Sequence, residues 1–150
     1  MAVSCIPEVK QALLTGLAAD ADATTLVEWG VPHEAWEGVQ GEWIVLGDAT
    51  APQEPRALGQ LKRDETVELE VYVDVRRATT DQEAVTRRAF VIAGVIEDHL
   101  RADPSLAANY AGGGQIVDAQ FAGVRREASS AADRQRRSVL TCTVRVRARI

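Results

Sequence analysis

Two segments of the chain place apolar residues at helical spacing. The first follows Pro7, which suits the first turn of a helix, and it predicts a helix over 7–19. The second begins at Thr80, three residues before Glu83 as in a capping box, and ends at Ala102. Its apolar stripe consists of Val85, Ala89, Ile92, Ala93, Ile96 and Leu100. Each helix is therefore expected to bury one face.

Five further segments have the pattern of β-strands. The clearest is Thr66–Arg76, in which apolar and polar residues alternate, so that one face of the strand is expected to be buried. The last strand, Val139–Ile150, alternates in the same way. Shorter segments predict three more strands, Thr25–Trp29, Glu42–Leu46 and Gln115–Val124.

Two polar segments are predicted to be loops. Gly47–Leu61 contains Pro52, Pro55 and Gly59, and loops of this length are uncommon in compact domains unless they contact something. Arg125–Arg137 is rich in serine, alanine and arginine, which predicts a mobile hairpin loop before the last strand.

The order of these elements is typical of an α+β protein. A helix and two short strands precede the long loop, and a long strand, a long helix and two strands follow it. No internal repeat or linker divides the chain, and 150 residues are enough for one core. We therefore expect a single domain over residues 1–150, with two helices packed on one face of a largely antiparallel mixed sheet.

Composition excludes several classes of protein. Hydrophobic residues make up 46% and charged residues 26%, which is typical of a folded globular chain. Two cysteines are too few for a disulfide scaffold. No apolar run approaches the ~18 residues of a membrane helix. A secretion signal would begin with a basic segment followed by an apolar one, and the N-terminus does not have this pattern. We expect folding in the cytoplasm and no membrane association.

Charge is distributed unevenly along the chain. Residues 1–55 contain one base against nine acids, whereas residues 121–150 contain eight arginines against two acids. On the predicted strands, these charges form an acidic stripe of Glu68, Glu70 and Asp74 and a basic stripe of Arg145, Arg147 and Arg149. Opposite charges on facing strands stabilise a sheet by about 0.2–1 kcal/mol per pair. We expect the stripes to pair within the sheet or between subunits.

DNA binding is the alternative role for the arginines. The net charge of −5 argues against it, and no aromatic residues interleave with the bases for stacking.

No group of residues indicates catalysis or a cofactor. His33, His99, Cys5 and Cys142 are scattered and lack the spacing of a zinc site. Residues 112–114 are all glycine, but they precede a strand and not a helix, so they lack the context of a phosphate-binding loop. The sequence predicts no enzyme activity, no metal and no cofactor.

Four short segments carry a family resemblance that spans nearly the whole chain. They are Ile6–Leu13 (Ile-Pro-x-Val-x-x-x-Leu), Val27–Pro32 (Val-x-x-Gly-x-Pro), Ile44–Gly47 (Ile-Val-Leu-Gly) and Leu100–Leu106 (Leu-Arg-Ala-Asp-Pro-Ser-Leu). In this layout of helices and strands, the chain resembles the tail terminator, or tail-completion, proteins of long-tailed bacteriophages.

The resemblance implies a non-enzymatic virion protein. Such proteins form a ring, a hexamer, that caps the head-proximal end of the tail tube, ends tube polymerisation and joins the tail to the head. DNA passes through the ring without specific binding. The implied partners are further copies of the chain, a tail tube protein and a neck connector protein. The implied location is the virion tail, with assembly in the host cytoplasm.

The two predicted loops are expected to contact the tube or neck partners. Their candidate contact residues are Asp48, Gln53, Glu54, Arg56, Arg134, Arg136 and Arg137. Two other functions stay open at this point: a neck connector of the adaptor or stopper type, and a small cytoplasmic α+β protein that binds a ligand or acts as an enzyme.

Overall fold

The structure is a computed structural model that describes residues 4–22, 24–30, 39–55 and 63–150. Its elements are α1 (Ile6–Asp20), β1 (Thr25–Trp29), β2 (Gly41–Thr50), β3 (Gln53–Pro55), β4 (Arg63–Arg77), α2 (Gln82–Ala102), β5 (Gln115–Ala132) and β6 (Gln135–Arg149). The strands form one sheet in the order β1-β2-β4-β6-β5, and β3 also pairs with β4. Only the β1–β2 pair is parallel among these. The predicted α+β fold with a largely antiparallel mixed sheet is confirmed.

The core lies between the helices and one face of the sheet. On β4, the alternating residues Val67, Leu69, Val71, Val73 and Val75 are all buried. The first four lie opposite buried residues of β6, namely Val146, Val144, Cys142 and Leu140. Helix α2 lies against β4, β5 and β6, and α1 lies against α2, β1 and β2. The alternation that predicted the two strands therefore describes a real division between a buried face and a charged face.

The predicted loop over 47–61 is wrong for its described residues at 47–50 and 53–55. Strand β2 continues to Thr50 through an irregularity between Leu46 and Ala49, and β3 pairs with β4. Gly47 does not end the strand, and its missing side chain leaves room for the ring of Tyr72. A Cβ atom at Gly47 would lie 2.4 Å from Cε2 of Tyr72. Residues 56–62 lie outside the described residues.

The predicted loop over 125–137 is also wrong, although the segment does form a hairpin. Strands β5 and β6 stay paired up to Ala132 and Gln135, and Asp133 and Arg134 form a two-residue turn. Register shifts at three places in β5 accommodate extra residues. The partner strand β4 runs as far as Arg77, opposite Arg136, and this pairing supports the segment whose polar composition indicated a loop.

Helix α2 begins one residue later than the predicted capping box implies. The N-cap is Asp81, whose side chain accepts a hydrogen bond from the Ala84 backbone N–H at 3.0 Å. Thr80 and Glu83 therefore do not form the predicted box. Aspartate and threonine are both good N-cap residues, so spacing alone could not distinguish the two registers.

A buried carboxylate holds the start of α1 against the sheet. Glu65 accepts hydrogen bonds from Ser4 Oγ at 2.5 Å, from the Cys5 backbone N–H at 3.0 Å and from Gln53 Nε2 at 2.7 Å. Burial and the hydrogen bond of the Cys5 thiol to Glu65 raise the pKa of that thiol to about 12. Cys5 is thus a structural residue that keeps its proton at neutral pH.

Candidate assembly surface

The face of the sheet opposite the helices, termed the charged face, carries a series of ion pairs between strands. It consists of the even-numbered side chains of β4 and the odd-numbered side chains of β6 together with their neighbours on β5. The pairs are Asp64–Arg149 at 3.9 Å, Glu68–Arg145 at 2.9 Å, Glu70–Arg125 at 3.4 Å and Asp74–Arg137 at 3.0 Å. Acids on β4 thus meet arginines on the adjacent strand β6 and on β5 beyond it.

The exposed end of this series contains two predicted pairing residues of β6. Arg145 lies opposite Glu68 in the register and donates to its Oε1 from both Nε and Nη2. Arg149 lies opposite Asp64, an acid outside the predicted acidic stripe. All four side chains are about half exposed, so each pair is worth at most about 1 kcal/mol.

The other end of the series is buried. The Asp74 carboxylate accepts hydrogen bonds from Nε and Nη2 of both Arg76 and Arg137, at distances from 2.8 to 3.2 Å. The Arg76 guanidinium also lies over the ring of Trp43, 4.8 Å from its centroid. Asp74 and Arg76 are both only 2% exposed at their side chains. Asp74 is therefore part of a desolvated network and not of an exposed acidic stripe.

Glu70 has a different partner from the β6 arginines. It accepts a hydrogen bond from the Tyr72 hydroxyl at 2.7 Å and forms an ion pair with Arg125 on β5. The hydrogen bond to Glu70, together with burial, raises the pKa of Tyr72 to about 12. Strand β5, which lies beyond β6 in the sheet, therefore supplies the cation that the sequence pattern assigned to β6.

Arg147 is exposed on β6, between Arg145 and Arg149. It lies opposite Thr66 of β4 and Asp118 of β5. It forms no ion pair with any residue that the structure describes, and its guanidinium stands beside a shallow hollow lined also by Gln120 and Arg145. This cation on the charged face is suited to an acid on another molecule.

The candidate contact residues of the first predicted loop lie on strands. Asp48 is exposed on β2, beside Glu68, Glu70 and Arg125. Gln53 on β3 is occupied within the chain, since it donates to Glu65 and accepts from Arg63 at 2.6 Å. Glu54 belongs to β3 by its backbone, and Arg56 lies outside the described residues.

The candidate contact residues of the hairpin have three different environments. Arg134 is exposed at the turn. Arg136 donates to the backbone carbonyls of Asp133 and Gln135, at 3.0 and 2.7 Å. Arg137 belongs to the Asp74 network and is 12% exposed at its side chain. The structure therefore separates three arginines that the sequence placed in one loop.

Sequence reasoning missed a second buried carboxylate, on the helix side of the sheet. Glu42 is the second residue of β2, on the same side as the core residues Ile44 and Leu46. Its two carboxylate oxygens each accept a hydrogen bond from Arg88 at 2.9 Å. Thr25 and Arg77 also donate to it. The signal was available in the alternation, which places an acid at an inward position of the strand.

The charge of Glu42 is stabilised by its partners. Burial by itself would raise the pKa of this carboxyl, but the hydrogen bonds from Arg88 and Thr25 and the charges of Arg88 and Arg77 outweigh burial and lower it. The same contact raises the pKa of Arg88, which also reaches Asp22 at 2.8 Å. The ionised carboxylate of Glu42 on β2 therefore links this strand to β1, β4 and α2 through hydrogen bonds and ion pairs.

The described residues offer no cluster of three or more histidine, cysteine or acidic side chains suited to a metal ion. Within the same ranges, no helix is long and apolar enough to cross a membrane.

Comparison with known proteins identifies a fold but no family. No protein-family model matches the chain, and no curated protein matches it. Among solved structures, the chain is similar to one in the virion of a native gene transfer agent particle, with a TM-score of 0.55 and 17% identity. The similarity covers 97% of this chain and 99% of that chain. At this identity, the two proteins share a fold over their whole lengths.

Proposed function

We propose that this chain is a structural virion protein that forms a ring at the head-proximal end of a phage-like tail tube. The ring ends tube polymerisation and joins the tail to the head. The observation that carries the proposal is the whole-length similarity of fold to a chain of a gene transfer agent virion. The independent resemblance of the sequence to tail terminator proteins supports the same role, which requires neither catalysis nor a cofactor.

The distribution of charge supports a closed ring. A ring uses a heterologous interface, in which one patch of a subunit meets a different patch of the next. On this chain, Arg134 and Arg147 are exposed on the β5–β6 hairpin, whereas Asp48 is exposed on β2, across the sheet. We infer that arginines of the hairpin side meet acids of the neighbouring subunit, while DNA passes through the ring without specific binding.

Electron microscopy of the purified protein, with and without tail tubes, tests this role. We expect rings, hexameric by the family resemblance, and caps at one end of each tube. A monomer that forms no rings and does not bind tail tubes would refute the proposal.

A neck connector is the alternative within the same class of virion proteins. It would bind the portal side of the neck and leave the tube ends uncapped. The same microscopy, repeated with portal complexes in place of tubes, therefore separates the two roles.

A further inference from the structure

The outer surface of α2 has an apolar centre that the chain leaves uncovered. Phe90 is 48% exposed and Val91 is 57% exposed, although both belong to a helix whose opposite face lies in the core. Gly94 stands one turn further on the same side, and a Cβ atom there would meet nothing within 4 Å. An aromatic side chain thus projects beside an open notch in the helix surface.

Two ion pairs border this apolar centre, one on each side along the helix. Glu83 pairs with Arg87 at 2.8 Å, and Glu97 pairs with Arg101 at 2.6 Å. All four residues lie on the outer side of the helix with Phe90 and Gly94, because each step of three or four residues returns to the same face. This surface, termed the α2 stripe, comprises Glu83, Arg87, Phe90, Val91, Gly94, Glu97 and Arg101.

The order of charges in the α2 stripe is self-complementary in the antiparallel direction. Glu83 and Arg101 each lie nine residues from Ile92, and Arg87 and Glu97 each lie five residues from it. When a second stripe is laid antiparallel on the first with Ile92 as the centre, Glu83 and Glu97 each face an arginine. Asp98, exposed on the same side of the helix, faces Thr86 and meets no like charge. A parallel arrangement would place each charged residue opposite the same residue of the other chain, so that like charges would face each other.

We propose that the α2 stripe binds the α2 stripe of a second copy of this chain in an antiparallel, two-fold related contact. Phe90 and Gly94 each lie two residues from the centre, so that Phe90 of each copy fills the notch at Gly94 of the other. Glycine at a helix interface permits such close approach. The contact is isologous, because the same surface serves both partners.

The contact requires a shallow crossing of the two helices. The charged segment from Glu83 to Arg101 spans about 27 Å at 1.5 Å per residue. A crossing angle near 20° keeps both ends within reach of their partners, as in coiled coils and helix bundles. The ion pairs then select the antiparallel orientation, while Phe90 and Val91 supply the apolar area.

This two-fold contact is independent of the proposed ring. It uses the outer side of α2, whereas the charged face lies on the far side of the sheet from the helices. A two-fold contact closes after two copies, so it pairs subunits or rings but cannot itself generate a ring.

The test uses two charge variants of the full chain. Glu83→Arg with Glu97→Arg makes all four charges of the stripe positive, and Arg87→Glu with Arg101→Glu makes them all negative. We expect sedimentation velocity, over a concentration series reaching about 1 mM, to show reversible pairing of the wild type. Each variant alone should pair at least about tenfold more weakly, and an equimolar mixture of the two should pair again.

Two further chains complete the experiment. Phe90→Ser should weaken pairing without changing the far-ultraviolet circular dichroism, because Phe90 is exposed in the single chain. Asp48→Arg with Glu68→Arg matches the charge change of the positive variant on the charged face. Because these residues belong to the surface proposed for the ring, the readout is the fraction of two-chain species alone, and this fraction should be unchanged whatever the effect on larger rings. The proposed contact would be overturned if the wild type never pairs, or if the charge variants pair as well as the wild type. It would also be overturned if the mixture of folded charge variants does not regain pairing. Tube capping, read by microscopy, is a separate outcome that reports only on the proposed function.

Discussion

The imidazole of His99 on α2 occupies the space where a side chain on Gly16 of α1 would stand. A Cβ atom at Gly16 would lie 2.4 Å from Cε1 and 2.5 Å from Nε2 of His99. The other ring nitrogen, Nδ1, lies 2.6 Å from Oδ2 of Asp20 at the end of α1. Gly16 thus permits the close packing of the two helices, and the buried histidine is a packing residue.

This relationship predicts opposite effects at two helical glycines. Gly16→Ala should lower the free energy of unfolding by about 1–2 kcal/mol, since the new methyl group displaces His99 despite the better helix propensity of alanine. Gly94→Ala is the matched control and should raise it by about 0.5–1 kcal/mol, because its Cβ enters open space. Urea unfolding measures both. Equal stability of the two variants would contradict the packing of His99 on Gly16.

The buried ion Glu42 predicts a loss of stability that depends on pH. Glu42→Gln removes the charge that faces Arg77 and Arg88, and we expect a loss of about 3 kcal/mol at pH 7. The pKa of Glu42 is lowered in the folded state from its ordinary value of 4.5, so its stabilisation is present above that pH and is lost as the pH falls through the folded pKa.

The measurement for Glu42 is the difference in unfolding free energy between wild type and Glu42→Gln at several pH values. The difference should be constant near neutral pH and should shrink as the pH falls below about 4.5. A difference that grows in acid would show that the carboxyl is neutral in the folded protein.

The two ends of the charged face predict very different costs of removing an acid. Asp74→Ala removes the carboxylate that receives two arginines in a buried setting, and we expect a loss of about 3–5 kcal/mol. Glu68→Ala breaks a half-exposed pair with Arg145 and should cost less than about 1 kcal/mol. Thermal and urea unfolding of both variants check this order, and similar losses would be inconsistent with the difference in burial.

The exposed arginines of β6 predict an effect on assembly that is separate from stability. Arg145→Glu with Arg147→Glu should leave the isolated fold within about 1 kcal/mol of wild type, because both side chains are exposed. The same variant should reduce ring formation in native mass spectrometry. The control is Glu68→Arg with Arg145→Glu, which exchanges the charges of one pair and keeps Arg147. Unchanged assembly of the first variant would refute charge pairing between subunits.

The elements of the core were predictable because their patterns repeat. The strand predicted over Thr66–Arg76 is contained in β4, and the helix predicted over 7–19 is contained in α1. In both, a side chain recurs on one face at a period set by the backbone alone, so the buried face could be read without knowledge of any partner.

The strand pairing of residues 125–137 could not be read from their composition. This segment has no alternation, since both of its faces are polar, and the ladder with β4 and β6 holds it in extended form. The partner of Glu70 was equally inaccessible, because which strand lies beside which is a property of the sheet and not of any one strand.

The sequence by itself determined the two helices, the main strands and the two faces of the sheet. Only the tertiary structure decided which of the charges are buried. Glu68 and Asp74 occupy equivalent positions in the alternation of β4, yet Glu68 is exposed and Asp74 lies in a desolvated network with Arg76 and Arg137. The reason is physical: periodicity specifies the direction of a side chain from its own backbone, whereas burial depends on what distant segments place over it.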